Sequence, residues 1–378
     1  MPRSNALVIA VGLFAATCYG FAGCGFAPAG SGGGSGASSG GPLGTGASNG
    51  GGLVGGGAAQ NGHGAVTGMN CAAVQQPVAK LPPDILIVLD ASGSMNNDIS
   101  DMSCNNGCGA TSKWAQMTPA INTVVQMTEG TVNWGLKFFA DTDATCGVGN
   151  GVQVQVGTNR AAMIAAAITG RTAANGGVTN GSRTPTRLAE NAGAAYLAGL
   201  TDQNPRFLLL ATDGLPNCMP GNGDTAADDS SGAVMAVGAA ATMGIPTFVV
   251  GIATSGMGGD TTLSNMANAG GYPRPGGNPS YYSVGSASEF VSVLQTLVGV
   301  AGSCTFSIPD PPPPGTDAAH IGVVINGTTE LKKDTTHTDG WDYTSTGMTA
   351  VQVYGPTCDA ILSNSPPKVE IVFKCIIG

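Results

Sequence analysis

The chain has 378 residues, a formal net charge of −9 at pH 7, ten cysteines and three histidines. The acidic balance disfavours nucleic-acid binding, which normally requires a basic patch on the surface. A zinc site is also disfavoured, because Cys104 and Cys108 have no second cysteine pair at a suitable spacing and histidines are scarce.

The N-terminus has the pattern of an export signal. Arg3 precedes an apolar run at residues 6–16, which is short for a membrane span but typical of a secretory signal peptide. Residues 21–24 (Phe-Ala-Gly-Cys) resemble a bacterial lipobox, in which Cys24 is the lipidated residue. We therefore predict a signal peptide with lipobox at residues 1–24 and a membrane-anchored lipoprotein of the outer membrane or cell surface. The alternatives are ordinary signal cleavage and an uncleaved N-terminal anchor, with Cys24 unmodified.

Residues 25–80 form the next predicted segment. Glycine is concentrated in residues 32–68, which hold 17 of the 61 glycines of the chain and in which Gly, Ser, Ala and Asn dominate. Such a segment cannot bury an apolar core, so it predicts a flexible tether. A tether directly after Cys24 is what a lipid-anchored domain requires.

Residues 84–94 contain the first candidate for chemistry. The run 85–89 is continuously apolar, which is typical of a strand buried on both faces of a parallel sheet. It leads into Asp90, Ser92 and Ser94, one carboxylate and two hydroxyls at alternate positions. Ligands of open α/β folds bind at such strand ends, and hard cations such as Mg²⁺ prefer oxygen ligands. The alternative is that Asp90 and Ser92 only cap the turn or the following helix.

Helices and strands then alternate along the chain. The predicted elements are helix 113–129, strand 132–140, a short antiparallel strand 152–156, helix 159–170, helix 184–200, strand 207–212, helix 226–243, strand 246–252, helix 261–269, edge strand 281–284 and helix 286–300. This alternation predicts an α/β fold with a doubly wound, mostly parallel six-stranded sheet.

Two later segments add oxygen ligands to the first cluster. Thr184 precedes Pro185 at the start of an Ala-rich helix, and Thr186 is a second candidate in a shifted register. The apolar strand 207–212 ends in Asp213, another carboxylate at a strand end. Singly, Thr184 is explained as a helix N-cap before Pro185 and Asp213 as part of an exit turn. Taken together with the cluster at residues 90–94, and in this order along the chain, Thr184 and Asp213 favour a single metal site.

This set of residues resembles the von Willebrand factor A domain and its metal-ion-dependent adhesion site (MIDAS). The family pattern is D-x-S-x-S, then a loop threonine, then a strand-terminal aspartate. The resemblance implies a Rossmann-like domain at residues 81–303. It also implies that five side chains hold a divalent cation, namely Asp90, Ser92, Ser94, Thr184 and Asp213.

The resemblance implies adhesion or protein binding rather than catalysis. Mg²⁺ is the expected ion, with Mn²⁺ or Ca²⁺ as alternatives, and an acidic group of a protein or extracellular ligand would complete its shell. A structural envelope protein with a purely stabilising metal is the first alternative. A metal-dependent hydrolase is disfavoured because it needs a nearby base, and His63, His320 and His337 all lie outside the predicted domain. We therefore expect no enzymatic activity.

Residues 304–378 change in pattern. A proline-rich break at residues 309–315 is followed by short β-type runs at 321–325, 341–343, 350–354 and 369–373, and Asn326-Gly327 is a hairpin signal. The segment predicts a small all-β module, which resembles the cysteine-containing C-terminal extension of some exported bacterial von Willebrand A proteins.

The cysteines agree with export, because eight remain after Cys18 and Cys24 are removed and an even number suggests disulfides. Sequence alone leaves 105 pairings open. We expect four pairs. Cys104–Cys108 would close a small loop, and Cys146 and Cys218 both follow strand ends; Cys71 and Cys304 flank the predicted domain, and Cys358 and Cys375 both lie in the C-terminal module.

Overall fold

A six-stranded mixed sheet is the central element of the fold in a computed structural model of the chain. The described strands are β1 (Val74–Pro77), β2 (Asp84–Asp90), β3 (Asn133–Phe139), β4 (Val154–Gly157), β5 (Arg206–Thr212), β6 (Thr247–Ile252), β7 (Tyr282–Val284), β8 (Thr305–Ser307), β9 (Thr316–Ile325), β10 (Thr329–Glu330), β11 (Gly340–Tyr343), β12 (Ala350–Tyr354) and β13 (Val369–Cys375). The described helices are α1 (Lys113–Thr128), α2 (Ala161–Arg171), α3 (Thr186–Ala198), α4 (Ser230–Thr242), α5 (Asp260–Ala269), α6 (Ala287–Ala301) and α7 (Pro356–Ile361).

The structure describes residues 74–78, 80–141, 146–179, 183–222, 226–254, 260–302, 304–313, 316–344, 347–361 and 367–375. The predicted signal peptide, the lipobox with Cys24, and most of the predicted tether lie outside these residues, as does Cys71. Within the described part, no helix is long and apolar enough to cross a membrane.

The order of strands in the central sheet is β4-β3-β2-β5-β6-β7. Strand β2 lies in the middle and pairs in parallel with β3 and β5, while the parallel pairing continues through β6 to β7. Strand β4 pairs antiparallel with β3. The expected α/β fold with a six-stranded, mostly parallel sheet is confirmed, and it is compatible with a von Willebrand A architecture.

Helices cover both faces of this sheet because alternate residues of its strands point in opposite directions. Ile85, Ile87 and Leu89 of β2 pack in one apolar cluster with α1, α2 and α6. Leu86 and Val88 pack in the opposite cluster with α3, α4 and α5. Burial on both faces explains why β2 is continuously apolar.

The residues after Cys304, together with β1, form two small antiparallel sheets around a third apolar cluster. One sheet has the order β11-β12-β8, and the other has the order β1-β13-β9-β10. The predicted hairpin at Asn326-Gly327 connects β9 to β10, and both residues have the positive φ angles that such a turn requires. This part is β-rich, although it also contains the short helix α7.

Strand β1 changes the expected organisation of the chain. Val74–Pro77 falls inside the range predicted as tether, but it pairs antiparallel with β13 at the C-terminus. The α/β sheet is therefore inserted between the first two strands of the β-rich part. The two connections run side by side, since the Leu81 N–H donates to the Thr305 carbonyl at 2.9 Å. The predicted boundaries at residues 80 and 304 miss this N-terminal contribution.

Three disulfides lie among the described residues. Cys104–Cys108 and Cys146–Cys218 confirm two of the expected pairs. The third joins Cys304 to Cys358, with Cα atoms 5.6 Å apart, so the expected Cys71–Cys304 and Cys358–Cys375 pairs are wrong. Cys304 precedes β8 and Cys358 lies in α7 after β12; because β8 and β12 are paired, the fold brings these cysteines together across 54 residues.

Candidate metal centre

The candidate site lies where two neighbouring parallel strands end. Strand β2 ends at Asp90 and β5 ends at Thr212, directly before Asp213. Because β2 and β5 are hydrogen-bonded in parallel, their carboxyl ends meet at one edge of the sheet. After Asp90 the chain enters a 3-10 turn at Gly93–Asn96, which the fully buried Met95 anchors in the core. This turn carries Ser94 towards Asp213.

A continuous set of hydrogen bonds joins the predicted ligands from the two strand ends. The Ser92 and Ser94 hydroxyl oxygens are 3.0 Å apart, and the Ser94 hydroxyl donates to Asp213 Oδ1 at 2.9 Å. Asp90 Oδ1 accepts from the Ser92 backbone N–H at 2.8 Å. Asp90 Oδ2 accepts from the Thr212 hydroxyl at 2.6 Å, which connects it to β5. The structure therefore brings Asp90, Ser92, Ser94 and Asp213 together.

The cluster is buried except on the side where Ser94 lies. Asp90, Ser92 and Asp213 are at most 1% exposed, whereas Ser94 and the preceding Gly93 are half-buried. An external group would therefore approach the cluster at Ser94.

Thr184 occupies a different position from the other four residues. It is 5% exposed, and its backbone exchanges two hydrogen bonds with Asn217: the Thr184 N–H donates to Asn217 Oδ1 at 2.7 Å, and the Asn217 N–H donates to the Thr184 carbonyl at 3.0 Å. Among the described residues, no hydrogen bond joins its hydroxyl to Asp90, Asp213 or the serines. Thr184 therefore packs on the loop that carries Asp213. The alternative residue, Thr186, is fully buried at the start of α3.

Burial makes both carboxyls of the cluster harder to ionise. Burial raises the pKa of the Asp90 carboxyl to about 7, and the negative charge of Asp213 contributes to this rise. Burial also raises the pKa of Asp213, although the Lys113 ammonium opposes this effect. A bound cation would stabilise the ionised form of both carboxylates.

Lys113 is the residue that the sequence reasoning missed. Its side chain is 0% exposed, and its ammonium lies 2.9 Å from Asp213 Oδ2 while also pairing with Asp101. The Lys113 N–H donates to the Asn97 carbonyl at 2.8 Å, which fixes the start of α1 beside the 3-10 turn. One sequence signal was available, because Lys113 is the only cationic residue between Lys80 and Lys137.

Two disulfides constrain the loops at this edge of the sheet. Cys146 follows β3 and is bonded to Cys218, which follows Asn217 on the loop after Asp213. Cys104–Cys108 closes a short ring in the segment that carries Asp101. The loop after Asp213 is therefore cross-linked to the segment after β3, whereas the Cys104–Cys108 ring is local and begins three residues after Asp101.

The residues present fit a hard divalent cation. Their donor atoms are all oxygens, from two carboxylates and two hydroxyls, with Thr184 adjacent. Within the described part of the chain, no group of three or more His, Cys, Asp or Glu side chains is placed to hold a metal. Any metal at this site would therefore depend on the serine hydroxyls.

No protein-family model and no curated protein matches the sequence. Among solved structures, the chain is similar to the PilB minor pilin from Streptococcus sanguinis, with 14% identity, 59% of this chain and 62% of that chain covered, and a TM-score of 0.43. It is also similar to the pilus adhesin SpaC from Lactobacillus rhamnosus GG in an open conformation, with 14% identity, 79% and 39% coverage, and a TM-score of 0.43.

A third similar structure is proximal thread matrix protein 1 from the mussel byssus, solved with a zinc-occupied MIDAS motif. It has 16% identity, 61% of this chain and 50% of that chain are covered, and the TM-score is 0.37. The chain thus spans less than two thirds of the length of each of the three structures. These values describe a partial likeness in fold.

Proposed function

We propose that this chain is a divalent-metal-dependent adhesion or protein-binding module that the cell exports and tethers to its envelope. The observation that carries the proposal is the hydrogen-bonded cluster of Asp90, Ser92, Ser94 and Asp213 at adjoining strand ends. A bound cation would supply an electrophilic centre for an anionic oxygen of the partner. Mg²⁺ is the preferred ion, with Mn²⁺ or Ca²⁺ as alternatives.

Each residue of the cluster has a distinct part in this proposal. Ser92 and Ser94 would ligate the ion through their hydroxyls, and Ser94 lies on the side that solvent reaches. Asp90 and Asp213 would supply negative charge, while Thr184 would support the loop that carries Asp213 through its bonds to Asn217.

The surroundings of the cluster support a protein partner. Leu215 and Met219 follow Asp213 on the same loop and are 42% and 37% exposed. Both side chains would lose contact with water if a partner covered this loop. An Asp or Glu of the partner would reach the cation, and the apolar side chains would add contact area.

The positions of the two histidines that the structure describes, His320 and His337, support a non-enzymatic role. His320 pairs with Asp317, and His337 contacts Asp342 and stacks on Tyr354. Both histidines lie in the β-rich part, so neither is a candidate general base at the strand ends.

A pull-down from envelope extract tests the proposed function. The full chain, immobilised in detergent, should retain a partner in the presence of Mg²⁺ and release most of it when EDTA is added, because the cation bridges the two proteins. An Asp359→Asn variant, which removes an exposed carboxylate on α7 far along the chain from the cluster, should retain and release the partner as the unmodified chain does. Equal retention with Mg²⁺ and with EDTA would contradict the proposal. Stabilisation by Mg²⁺ without any partner would support the structural alternative.

The envelope anchor has its own test. Cys24→Ser should move the protein from the membrane fraction to the soluble fraction, because the thiol that carries the lipid is removed. Immunoblotting of fractionated cells measures the distribution, with Cys18→Ser as the control within the predicted signal. A variant that stays in the membrane would favour the uncleaved N-terminal anchor.

A further inference from the structure

Lys113 places a permanent positive charge inside the proposed cation site. Its side chain is fully buried, and its ammonium donates to Asp213 Oδ2 at 2.9 Å. The other oxygen of the same carboxylate accepts from the Ser94 hydroxyl at 2.9 Å. Both oxygens of Asp213 are therefore already engaged by groups of the chain.

Asp213 is also one of the two carboxylates that the cation requires. A divalent ion and an ammonium repel each other strongly at short range where water is excluded. Binding of the ion near Asp213 must therefore weaken the contact between Lys113 and Asp213, or the contact must weaken binding of the ion.

Asp101 gives the ammonium a second partner. Lys113 pairs with Asp101 as well as with Asp213, and the Asp101 side chain is 24% exposed. The Asn97 side-chain amide donates to Asp101 Oδ1 at 3.0 Å, and the Lys113 N–H donates to the Asn97 carbonyl at 2.8 Å, so Asp101 is held close to the start of α1. Lys113 can thus leave Asp213 and keep one carboxylate partner, which avoids leaving a buried charge unpaired.

We propose that Lys113 is an internal competitor of the divalent cation: its ammonium holds Asp213 when the ion is absent and lowers the affinity of the site for it. This inference rests on the proposed function and concerns the regulation of the same site. The Lys113–Asp213 contact would therefore raise the ion concentration at which the site is half occupied. Without the ion, the same contact would keep Asp213 in position.

The test compares the divalent-ion affinity of two Lys113 variants of the full chain. Lys113→Met removes the charge but keeps a long side chain that suits a buried position, and Lys113→Arg keeps the charge. Isothermal titration with Mg²⁺ should give a Kd for Lys113→Met that is lower than that of the unmodified chain by about tenfold or more. Lys113→Arg should stay within about threefold of the unmodified chain, because the positive charge is retained.

Protein stability provides the second measurement. Lys113→Met leaves Asp213 and Asp101 without their cation, so its melting temperature in EDTA should fall and should rise more steeply with Mg²⁺ than that of the unmodified chain. If the variant is unfolded in EDTA, the Mg²⁺ midpoint of refolding, followed by circular dichroism, replaces the titration. A variant that stays unfolded at every Mg²⁺ concentration would show that Lys113 is a structural counter-ion, which overturns the inference.

The remaining outcomes separate this inference from the proposed function. Equal Kd values for Lys113→Met and the unmodified chain would overturn the competition while leaving the metal site intact. Binding in Lys113→Met alone would support the competition. If neither protein binds Mg²⁺, Mn²⁺ or Ca²⁺, both the proposed function and this inference are wrong.

Discussion

Asp90→Asn is expected to weaken Mg²⁺ binding by at least about 100-fold without unfolding the protein. Asp90 lies at the end of β2, is completely buried, and is hydrogen-bonded to Ser92 and Thr212. The amide keeps the size of the carboxyl but carries no charge, so it cannot offset the charge of a divalent ion. Loss of such a ligand exceeds the tenfold to 100-fold effects typical of residues that only support a ligand.

The pH dependence of stability separates loss of the ion from loss of the fold. Since the pKa of Asp90 in the folded protein is raised to about 7 from an ordinary value of 3.8, the folded state binds more protons than the unfolded state between these values. The contribution of Asp90 to stability is therefore greatest at low pH and is lost as the pH rises through this window. The amide side chain of the Asp90→Asn variant cannot ionise. In EDTA at pH 8, the variant should be at least as stable as the unmodified chain.

The matched control for Asp90→Asn lies on the same strand. Asp84 starts β2, is also 0% exposed, and has a pKa raised to about 6 by burial, but it lies six residues away, or about 20 Å along the strand. Calorimetry should give an unchanged Mg²⁺ affinity for Asp84→Asn. Similar losses in both variants would mean that any change in the charge of β2 disturbs binding. An unchanged affinity in Asp90→Asn would remove Asp90 from the site.

Residues at strand ends were predictable because the sheet topology dictates where they meet. Two apolar strands in parallel place Asp90 and Asp213 at the same edge, and the D-x-S-x-S spacing adds the serines. The contact of Thr184 with Asn217 could not be predicted, because it depends on the path of two loops. Lys113 was missed for a related reason, since its ion pair with Asp213 joins residues 100 positions apart.

Strand β1 shows where local sequence carries no structural signal. Val74–Pro77 reads Val-Gln-Gln-Pro, with no apolar alternation, and follows a Gly-rich segment. Its conformation comes from pairing with β13, including a contact between Gln75 and Glu370 across 295 positions.

Glu190 is a similar case within a helix that was predicted. It is fully buried in α3, where burial raises its pKa to about 8, and only the packing of α3 on the sheet reveals this.

Replacement of both Cys146 and Cys218 by Ser is expected to reduce stability and Mg²⁺ affinity together. The disulfide closes a segment of 72 residues, and the loss of this cross-link costs about 4 kcal/mol through the entropy of the unfolded chain. Cys218 also adjoins Asn217, which lies on the loop after Asp213 and exchanges two hydrogen bonds with the backbone of Thr184. Freeing this loop should raise the Kd for Mg²⁺ by about tenfold.

Replacement of Cys304 and Cys358 provides the comparison that separates the two effects. This disulfide closes 54 residues, so its loss should also cost about 4 kcal/mol, but it lies in the β-rich part. Urea unfolding should therefore show similar losses of stability for the two double variants, while calorimetry shows reduced Mg²⁺ affinity only for the Cys146/Cys218 variant. Equal reductions in affinity would attribute the effect to general destabilisation. An unchanged affinity in both would mean that Asp213 is held at the strand end by Ser94 and Lys113 without the help of the cross-link.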